Sequence, residues 1–545
     1  MRLAPPRKAG PGLAEGRGLI ENQKIKDEIV LLSDSIRNGA ENHAERVALI
    51  FHDAEITYGK LAAGVEALAA GLRARGIKPG ERIGLLLPNC PAFVGAYYAA
   101  GFVGAVAVPV NPTLKPLELE YIWRDADIRL VLTIPALLPT AAEARKNLPG
   151  LREVLPIDPL QPPAEWNLFP DNSPDSETRE IPLPEIKTDA NDCAVIIYTS
   201  GTTGYPKGAM LSHRNLLRNI EQIQARLHFQ PTDRFLGVLP LFHSFAATVC
   251  MNLTLAIGAT VCLMENFTPS RVYEAMQKNR LSVIPAVPAI FNALLPFGAD
   301  SPSEFSALRM LVSGGAPLPA STLAALETRF RVPVLEGDGP TECSPVTSVN
   351  PLEGPRKIGS VGPPLPGVEA AIFDDENKSL PPEAVGEIVV RGDNVMLGYL
   401  NQPDATAEAM TGGWYHTGDI GRMDADGYIY IMARKKDMII TSGLNVYPRE
   451  IEEVLLTHPA VKDAAVIGLP DALRGEEVVA VVIRKPDVEI SERDLMRYCR
   501  ERLAPYKAPR RVIFREVLPY GSAGKVVKRL LKKEMELEIP DVSAR

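Results

Sequence analysis

Apolar runs of strand length alternate with helical patterns through the first four hundred residues of the chain. The run "ERIGLLL" precedes "PAFVGAYYAAGF", "IRLVLTI" precedes "ALLPTAAEARKNL", and "GATVCLM" precedes "SRVYEAMQKN". This alternation is typical of α/β proteins, because parallel strands are joined by crossover helices. We therefore predict an α/β fold with a large N-terminal domain of parallel-rich sheets.

One uncharged stretch, residues 83–114, is long enough to suggest a membrane span. Pro88-Asn89 and later Pro109 interrupt it, so it is better interpreted as a strand (83–87), a helix from about Pro91 and a second strand (105–110). Near-continuous apolar runs are expected in a βαβ unit that is covered on both faces. We therefore expect a soluble protein without a transmembrane segment.

The pattern changes near Gly386. "GEIVVRG" and "GWYHTGDIGRMDADGYIYIMAR", with the turn "DADG", predict an antiparallel β subdomain. After "RKKD", a helix, two strands and a second helix predict a small α+β C-terminal domain of about 110 residues. The predicted divisions are a flexible tail (1–25), a large N-terminal domain (26–434) and a C-terminal domain (435–545). The proline- and acid-rich residues 150–187 are predicted to form a long surface connection.

Composition narrows the class of protein. A chain of 545 residues is long enough for about three or four domain-sized units. The formal net charge of -8 argues against a nucleic-acid-binding protein. The six cysteines are far apart and form no CxxC pair, which favours free thiols in a reducing cytoplasm. The N-terminal "MRLAPPRKAGPGLAEGRG" has no apolar core of the kind a secretory signal needs. We expect a cytoplasmic globular protein.

Candidate phosphate chemistry first appears in "YTSGTTGYPKGAM", residues 198–210. Its glycines let backbone N–H groups approach an oxyanion, its hydroxyl residues add donors, and Lys207 adds one charge. The spacing GxxxxGK[ST] of a P-loop is absent here, which disfavours a P-loop nucleotidase. On composition alone a solvated turn would explain the segment equally well.

The string "YTSGTTGYPKG" resembles the signature of the adenylate-forming superfamily, which includes acyl-CoA synthetases, luciferases and peptide-synthetase adenylation domains. Seven further segments resemble the other signatures of that superfamily in the same order: "LPLFHSF" (239–245), "SGGAPL" (313–318), "GDGPTE" (337–342), "GWYHTGDIG" (413–421), "RKKD" (434–437), "SGLNVYPREIE" (442–452) and "GSAGK" (521–525). The resemblance spans roughly residues 40 to 530, so the chain is identified as a member by eight ordered motifs.

The resemblance implies a reaction in two halves. A carboxylate attacks the α-phosphate of ATP to give an acyl-adenylate and pyrophosphate, and a thiol then displaces AMP. Because an anion must approach a polyanion, positioned cations and donors matter more than a covalent nucleophile. The implied catalytic residues are Lys525, His243, Thr341 and Glu342, with Glu342 and Thr202 as ligands of Mg²⁺.

Other roles follow from the same resemblance. The implied nucleotide-binding residues are Thr199, Ser200, Gly201, Thr202, Thr203, Gly204, Lys207, Gly314, Gly315, Ala316, Asp338, Gly339, Pro340, Thr341, Asp419, Arg434 and Lys525. Lys436 is the implied hinge about which the C-terminal domain turns, first to present Lys525 and then to offer a CoA-binding face made by Ser442, Gly443 and Leu444.

Simpler interpretations stay open for single residues. Thr341-Glu342 alone would fit a helix cap, "TGD" a common turn, His243 a packed ring, and Lys436 a plain linker lysine. Two positions depart from the superfamily pattern. Asp338 stands where an aromatic residue usually stacks on adenine, and Ala523 replaces a common serine. Asp338 puts the nucleotide affinity or preference in question.

The sequence also bears on which carboxylic acid is activated and which thiol accepts the acyl group. "SFAATVCMNLTLAIG", after His243, carries no basic residue for a second carboxylate, so we expect a medium- or long-chain fatty acid, with ATP, Mg²⁺ and CoA as the other participants. The alternatives are an aryl or short-chain acyl-CoA ligase, a fatty acyl-AMP ligase that loads a carrier protein, and a non-catalytic nucleotide-binding protein. Fourteen residues separate Asp419 from Arg434, which leaves no room there for the insertion usual in carrier-loading ligases. A homodimer and a peripheral membrane contact are left open.

Overall fold

The computed structural model describes residues 30–166, 168, 188–199, 206–297, 305–471, 473–486, 488–521 and 526–538. The predicted tail (1–25) lies outside them. The α-helices of the described residues are, in chain order, α1 (Asp34–His43), α2 (Tyr58–Ala74), α3 (Pro91–Phe102), α4 (Pro116–Asp125), α5 (Leu138–Arg145), α6 (His213–Leu227), α7 (Leu253–Ala256), α8 (Pro269–Lys278), α9 (Pro288–Leu294), α10 (Ala320–Phe330), α11 (Pro403–Ala409), α12 (Pro448–Leu456), α13 (Glu492–Arg500) and α14 (Lys528–Glu538).

The strands that precede residue 350 are β1 (Val47–Phe51), β2 (Ala54–Thr57), β3 (Arg82–Leu86), β4 (Val106–Pro109), β5 (Ile128–Thr133), β6 (Glu153–Pro156), β7 (Cys193–Thr199), β8 (Lys207–Ser212), β9 (Arg234–Gly237), β10 (Thr260–Leu263), β11 (Val283–Ala286), β12 (Met310–Ser313), β13 (Val334–Asp338) and β14 (Ser348–Val349). Those that follow are β15 (Val368–Phe373), β16 (Gly386–Gly392), β17 (Gly398–Tyr399), β18 (Tyr415–Met423), β19 (Ile429–Arg434), β20 (Ile439–Thr441), β21 (Leu444–Val446), β22 (Val461–Asp471), β23 (Gly475–Arg484) and β24 (Arg511–Arg515).

Two large, mostly parallel sheets carry the N-terminal part of the described chain. One has the order β17-β8-β7-β4-β3-β5-β6, and the other has the order β14-β13-β12-β11-β9-β10-β1-β2. The uncharged stretch forms β3, α3 and β4, and α3 is apolar and buried nearly all round because it packs inside the protein. The predicted α/β class and the predicted βαβ unit are therefore confirmed. No helix in the described ranges is long and apolar enough to cross a bilayer.

Two smaller sheets follow. Strands β15, β16, β18 and β19 form an antiparallel sheet, and the predicted turn "DADG" joins β18 to β19. Strands β20 to β23 form the last sheet in the order β21-β20-β23-β22, with β24 added in parallel to β23 and with helices packed against it. Arg449 of α12 donates to the Ile431 carbonyl of β19 at 2.7 Å, which brings this last unit against the antiparallel sheet.

The predicted long surface connection is wrong for its first half. Residues 153–156 form β6 and extend the parallel sheet, and Trp166 is only 2% exposed. The indole fills a space that glycines provide, since a Cβ at Gly95 would lie 2.3 Å from its ring. Proline-rich composition alone did not reveal this burial. Residues 169–187 lie outside the described ranges.

Candidate active site

Two neighbouring parallel strands, β12 and β13, end at the same edge of their sheet. The turn with Gly314, Gly315 and Ala316 follows β12, and Asp338, Gly339 and Pro340 close β13. In open α/β sheets this edge is where ligands bind. Glu336 of β13 joins the two segments, because its Oε1 accepts the N–H of Leu318 at 3.0 Å.

Close packing at the end of β13 explains the glycine there. A Cβ at Gly339 would lie 1.7 Å from the carbonyl oxygen of Pro345, so no other residue fits without moving the backbone. Thr341 begins a 3-10 turn that ends at Cys343, which places Glu342 directly beyond this contact. This close packing restricts the backbone that leads to Glu342.

Glu342 is the centre of the first cluster, and it is 8% exposed. Its Oε1 accepts the hydroxyl of Tyr399 at 2.8 Å and faces the hydroxyl of Thr199 at 3.4 Å. Thr199 ends β7 and pairs with Lys207, which begins β8, and the Lys207 ammonium lies 5.1 Å from the ring centre of Tyr399. The structure therefore brings Thr199, Lys207 and Glu342 together. Ser200, Gly201, Thr202, Thr203 and Gly204 lie outside the described residues.

A row of neighbouring side chains leads from Glu342 to the antiparallel sheet. Tyr399 donates to Glu342, and Tyr415 lies close enough to Tyr399 to affect the pKa of its hydroxyl. Burial, together with the nearby carboxylate, raises the pKa of both phenols well above the usual range, so both stay protonated. Tyr415 begins β18, which also carries Asp419.

Asp419 and Arg434 form the second cluster. They are register partners on β18 and β19, and Arg434 Nε lies 2.8 Å from Asp419 Oδ1. Asp419 is 5% exposed, and its N–H donates to Thr417 Oγ1 at 3.0 Å. Arg434 also donates to the Thr417 carbonyl at 3.1 Å. One arginine thus orients the turn and the carboxylate that it presents.

Asp338 lies on the Arg434 side of this cluster. Burial lowers the pKa of Arg434, but the charges of Asp419 and then of Asp338 raise it, and the net pKa lies above the ordinary value. The guanidinium therefore stays charged between two carboxylates. Arg434 is therefore an electrostatic partner for the carboxylate of Asp338.

The segment around His243 lies against the same edge. Ser244 Oγ and Thr341 Oγ1 are 2.9 Å apart, and a Cβ at Gly314 would lie 3.3 Å from the ring of Phe245. His243 Nδ1 accepts the N–H of Phe245 at 3.4 Å. The motifs at 239–245, 313–318 and 337–342 therefore meet in space. A π-helix, Ala246–Asn252, follows directly and is buried throughout.

The C-terminal candidates lie on the surface of the described chain. Ser442, Gly443 and Leu444 form the tight turn between β20 and β21 and are exposed. Ser442 and Gly443 both have positive φ, at 53° and 76°, which a tight hairpin turn requires. Lys436 lies in a 3-10 turn between β19 and β20 and is exposed. Lys525 lies outside the described residues.

The oxygen atoms of Glu342 and Thr199 suit a hard cation that also binds a phosphate group. Within the described ranges no group of three or more His, Cys, Asp or Glu side chains forms a self-sufficient metal site. Mg²⁺ commonly takes one or two carboxylates and completes its shell with substrate phosphates and water. A buried carboxylate beside the Thr199 hydroxyl fits that pattern.

An open surface cavity of about 1100 Å³ lies elsewhere, between α4 and α5. Its lining includes Arg124, Arg145 and Lys146, and these cations are already engaged by Glu120, by backbone carbonyls and by Glu143. None of the predicted site residues lines it. The convergence of strand ends, rather than this cavity, marks the candidate active site.

Several residues of the site carried no sequence signal. Tyr399 and Glu336 act through contacts with Glu342 and with the turn after β12, and a tyrosine or glutamate in a strand is ordinary by itself. Tyr415 lay inside the motif at 413–421, which did not indicate its place beside Tyr399. Ser244 lay inside a recognised motif but its contact with Thr341 spans 97 positions. Only the packing of the sheets reveals these partners.

Comparison with known proteins identifies the family. A model described as AMP-binding enzyme matches residues 36–400, and one described as AMP-binding enzyme C-terminal domain matches residues 450–525. The chain belongs to the AMP-binding enzyme family. It is an acyl-CoA synthetase of the AMP-forming kind, which uses ATP and CoA, and the predicted superfamily and enzyme class are confirmed.

Relatives cover nearly the whole chain. A long-chain-fatty-acid–CoA ligase of Bacillus subtilis (strain 168) is 35% identical over 531 residues, covering 93% of this chain and 95% of that protein. A feruloyl-CoA synthase of Amycolatopsis sp is 37% identical over 475 residues, covering 87% and 92%. The crystal structure of ATP-bound MatB from Rhodopseudomonas palustris matches with a TM-score of 0.85 at 32% identity, covering 92% of this chain and 99% of that one.

Proposed function

We propose that this AMP-binding enzyme activates a medium- or long-chain fatty acid as its acyl-adenylate and then transfers the acyl group to CoA. The observation that supports the proposal most strongly is the row of neighbouring side chains from Glu342 through Tyr399, which donates to it, to Tyr415 on β18. It links a phosphate-side cluster to the Asp419–Arg434 pair. ATP carries phosphates next to a ribose, and it would place the phosphates at the first cluster and the ribose at the second.

The Asp419 carboxylate is proposed to hold the ribose. A buried carboxylate can accept from two neighbouring hydroxyls at once, and Arg434 fixes its direction while leaving further acceptor positions. Arg434 is itself proposed to contact the ribose or a phosphate. Gly314, Gly315 and Ala316, with Asp338, Gly339 and Pro340, are proposed to line the adenine.

The phosphates are proposed to lie over Glu342 and Lys207. Glu342, with Thr202, would hold Mg²⁺, which when bound supplies positive charge to the β- and γ-phosphates. Lys207 adds a further cation on the pyrophosphate side. Thr341, whose hydroxyl lies 2.9 Å from that of Ser244, is proposed to donate to the α-phosphate. These groups would stabilise the pyrophosphate as it leaves, while Lys525 is proposed to offset repulsion between the acid and the α-phosphate.

The acid is proposed to enter along the π-helix Ala246–Asn252. This helix is buried, carries no charged side chain, and begins two residues after Ser244, which contacts Thr341. An acyl chain beside it would be removed from water without meeting a charge. π-helical turns inside helices are frequent at functional sites. His243, at the start of this segment, is proposed to lie at the mouth that receives the carboxylate.

The second half-reaction is proposed to use a turn of residues 435–545 about Lys436. Ser442, Gly443 and Leu444 are exposed in the present arrangement, so the proposed CoA-binding turn faces solvent here. Moving it to the nucleotide would bring the thiol to the adenylate after pyrophosphate leaves. We place the reaction in the cytoplasm. Assembly as a homodimer and a peripheral membrane contact stay predictions.

A panel of acids tests the proposed substrate. Purified protein with ATP, Mg²⁺ and CoA is incubated with octanoate, palmitate, ferulate, benzoate or acetate, and the thioesters are measured by mass spectrometry. We expect kcat/KM for the fatty acids to exceed that for the aromatic acids at least about tenfold. A preference for ferulate would instead favour an aryl-CoA ligase, which the 37% identity to a feruloyl-CoA synthase keeps as the second candidate.

The same reactions test the acceptor. Acyl-CoA formation at rates that match adenylate formation supports CoA as the natural thiol. Accumulation of acyl-AMP with no acyl-CoA would favour the carrier-protein alternative.

A further inference from the structure

Glu387, which lies outside the proposed nucleotide contacts, accepts from three groups at once. It is the second residue of β16, and its side chain is 12% exposed. Its Oε1 accepts the N–H of Gly418 at 3.1 Å. Its Oε2 faces His416 Nδ1 at 3.3 Å and Lys435 Nζ at 3.1 Å. One carboxylate therefore contacts a turn of β18 and the end of β19.

The partner on β18 is the residue before the proposed ribose carboxylate. Gly418 has φ of 71°, a conformation that disfavours other residues, and it immediately precedes Asp419. Arg434 holds the other side of this turn through the Thr417 carbonyl and Asp419. The turn is thus fixed from two sides, by Arg434 and by Glu387.

The partner directly after β19 is the residue before the proposed hinge. Lys435 follows Arg434 directly and precedes Lys436, so neighbouring cations reach two different carboxylates, Asp419 and Glu387. Lys435 also lies 3.7 Å from Asp375, and its side chain is 50% exposed. Burial raises the pKa of Glu387, but the hydrogen bonds from His416 and Lys435 lower it, and the net pKa falls below its ordinary value. The carboxylate is therefore charged and can pair with Lys435.

We propose that Glu387 is a positioning residue that ties the Asp419 turn to the hinge. Through Gly418 it sets the ribose carboxylate, and through Lys435 it stabilises the present arrangement of the C-terminal unit. Lys435 is the first residue of the 3-10 turn that contains Lys436, so turning the unit about Lys436 opens that turn and breaks this ion pair, while the bond to Gly418 stays. Because the turn at Ser442 is exposed here, the ion pair favours the arrangement that precedes thioester formation. Both parts of this inference rest on the proposed function, the first on Asp419 as the ribose carboxylate and the second on the hinge at Lys436.

Two substitutions at Glu387 separate the two contacts. Glu387→Gln keeps an oxygen acceptor for Gly418 but loses the ion pair, whereas Glu387→Ala loses both. Isothermal titration calorimetry with ATP, without acid or CoA, should give a Kd raised about tenfold for Glu387→Ala and less than about twofold for Glu387→Gln. Because no acid is needed, this measurement stands even if the proposed substrate is wrong. Equal ATP affinity in wild type and Glu387→Ala would overturn the proposal.

The ion pair is tested by the two half-reactions, assayed separately. Lys435→Gln and Glu387→Gln should each raise the ratio of the thioester rate, from supplied acyl-AMP, to the exchange rate about threefold. The double variant should show no further rise, because both substitutions remove one interaction. Lys435→Arg, which keeps the charge, should restore the wild-type ratio.

Glu369→Gln is the matched control, since Glu369 forms an exposed cross-strand ion pair with Arg391 in the same sheet. It should leave both the ATP affinity and the ratio of half-reaction rates unchanged. Additive effects of Lys435→Gln and Glu387→Gln, or an unchanged ratio in both, would overturn the coupling to the hinge. A wild-type protein with no half-reaction for any acid would overturn the proposed function and with it the hinge part of this inference, whereas the ATP titration would still decide the Gly418 part.

Discussion

Tyr399 donates its hydroxyl to Glu342 at 2.8 Å across 57 positions of the sequence. Tyr399 lies on β17, the edge strand that pairs with β8. The sheet that contains the β7–β8 hairpin therefore also orients the carboxylate of Glu342. Glu342 itself lies just after β13, which belongs to the other large sheet. The site is therefore built by the contact of two sheets.

Removing that hydroxyl should loosen Glu342 without unfolding the protein. We expect Tyr399→Phe to lower the rate of acid-dependent ATP–pyrophosphate exchange about fivefold, which corresponds to about 1 kcal/mol for one hydrogen bond to a carboxylate. The concentration of Mg²⁺ at half-maximal rate should rise. Tyr430→Phe is the control, because Tyr430 faces the carboxylate of Asp424 at 3.2 Å away from the site. An equal loss in both variants would contradict a specific role for Tyr399.

Asp419 should discriminate between ribose and deoxyribose. A carboxylate that accepts from both ribose hydroxyls loses one partner with 2′-deoxy-ATP, so we expect wild type to prefer ATP about tenfold in kcat/KM. Asp419→Ala should raise the KM for ATP at least about tenfold and abolish the preference. A preference retained in Asp419→Ala would show that another group recognises the sugar.

Lys525 should matter to one half-reaction only. We expect Lys525→Ala to slow acid-dependent pyrophosphate exchange at least about a hundredfold and to change thioester formation from supplied acyl-AMP less than about threefold. Lys533→Ala, at an exposed position of α14, should change neither rate. Losses of equal size in the two half-reactions of Lys525→Ala would contradict the proposed role.

Glu336 should make stability depend on pH. Burial raises its pKa from 4.5 to about 7, although the bond from Leu318 and the charge of Arg449 lower it. The folded protein therefore keeps a proton that the unfolded chain loses above pH 4.5. This contribution is complete below pH 4.5 and disappears as the pH rises through 7, with a total of roughly 3 kcal/mol.

Thermal unfolding of wild type and Glu336→Gln measures this contribution. From pH 5 to pH 8 the midpoint of wild type should fall relative to that of Glu336→Gln. Glu327→Gln is the control, since Glu327 also accepts a backbone N–H, from Val334, but is 34% exposed. A constant difference between wild type and Glu336→Gln over this range would show that Glu336 is not buried as a neutral acid.

Much of the fold was predictable because its signals are local. The apolar runs at β3 and β4 and the turn "DADG" depend on neighbours in sequence, and the structure confirms them. Trp166 was missed because its burial depends on glycines of α2 and α3 far away in the chain. Local composition cannot report a cavity that distant residues create.

The site residues were likewise predictable only where their signal is local. Asp419 and Arg434 lie in recognisable motifs and meet because a short hairpin aligns them. Tyr399 and Glu387 were missed, because each acts on a motif residue through a contact that only the assembled sheets produce. Their roles follow from partners rather than from a pattern.

The most direct test of the account is acid-dependent exchange of labelled pyrophosphate into ATP by the wild-type protein in the absence of CoA. Formation of a free acyl-adenylate predicts exchange that requires Mg²⁺ and a fatty acid, that stops when CoA and pyrophosphatase are added together, and that then yields acyl-CoA and AMP in equal amounts. Acyl-CoA formation with no exchange in the absence of CoA, or release of ADP in place of AMP, would contradict the acyl-adenylate and with it the central claim.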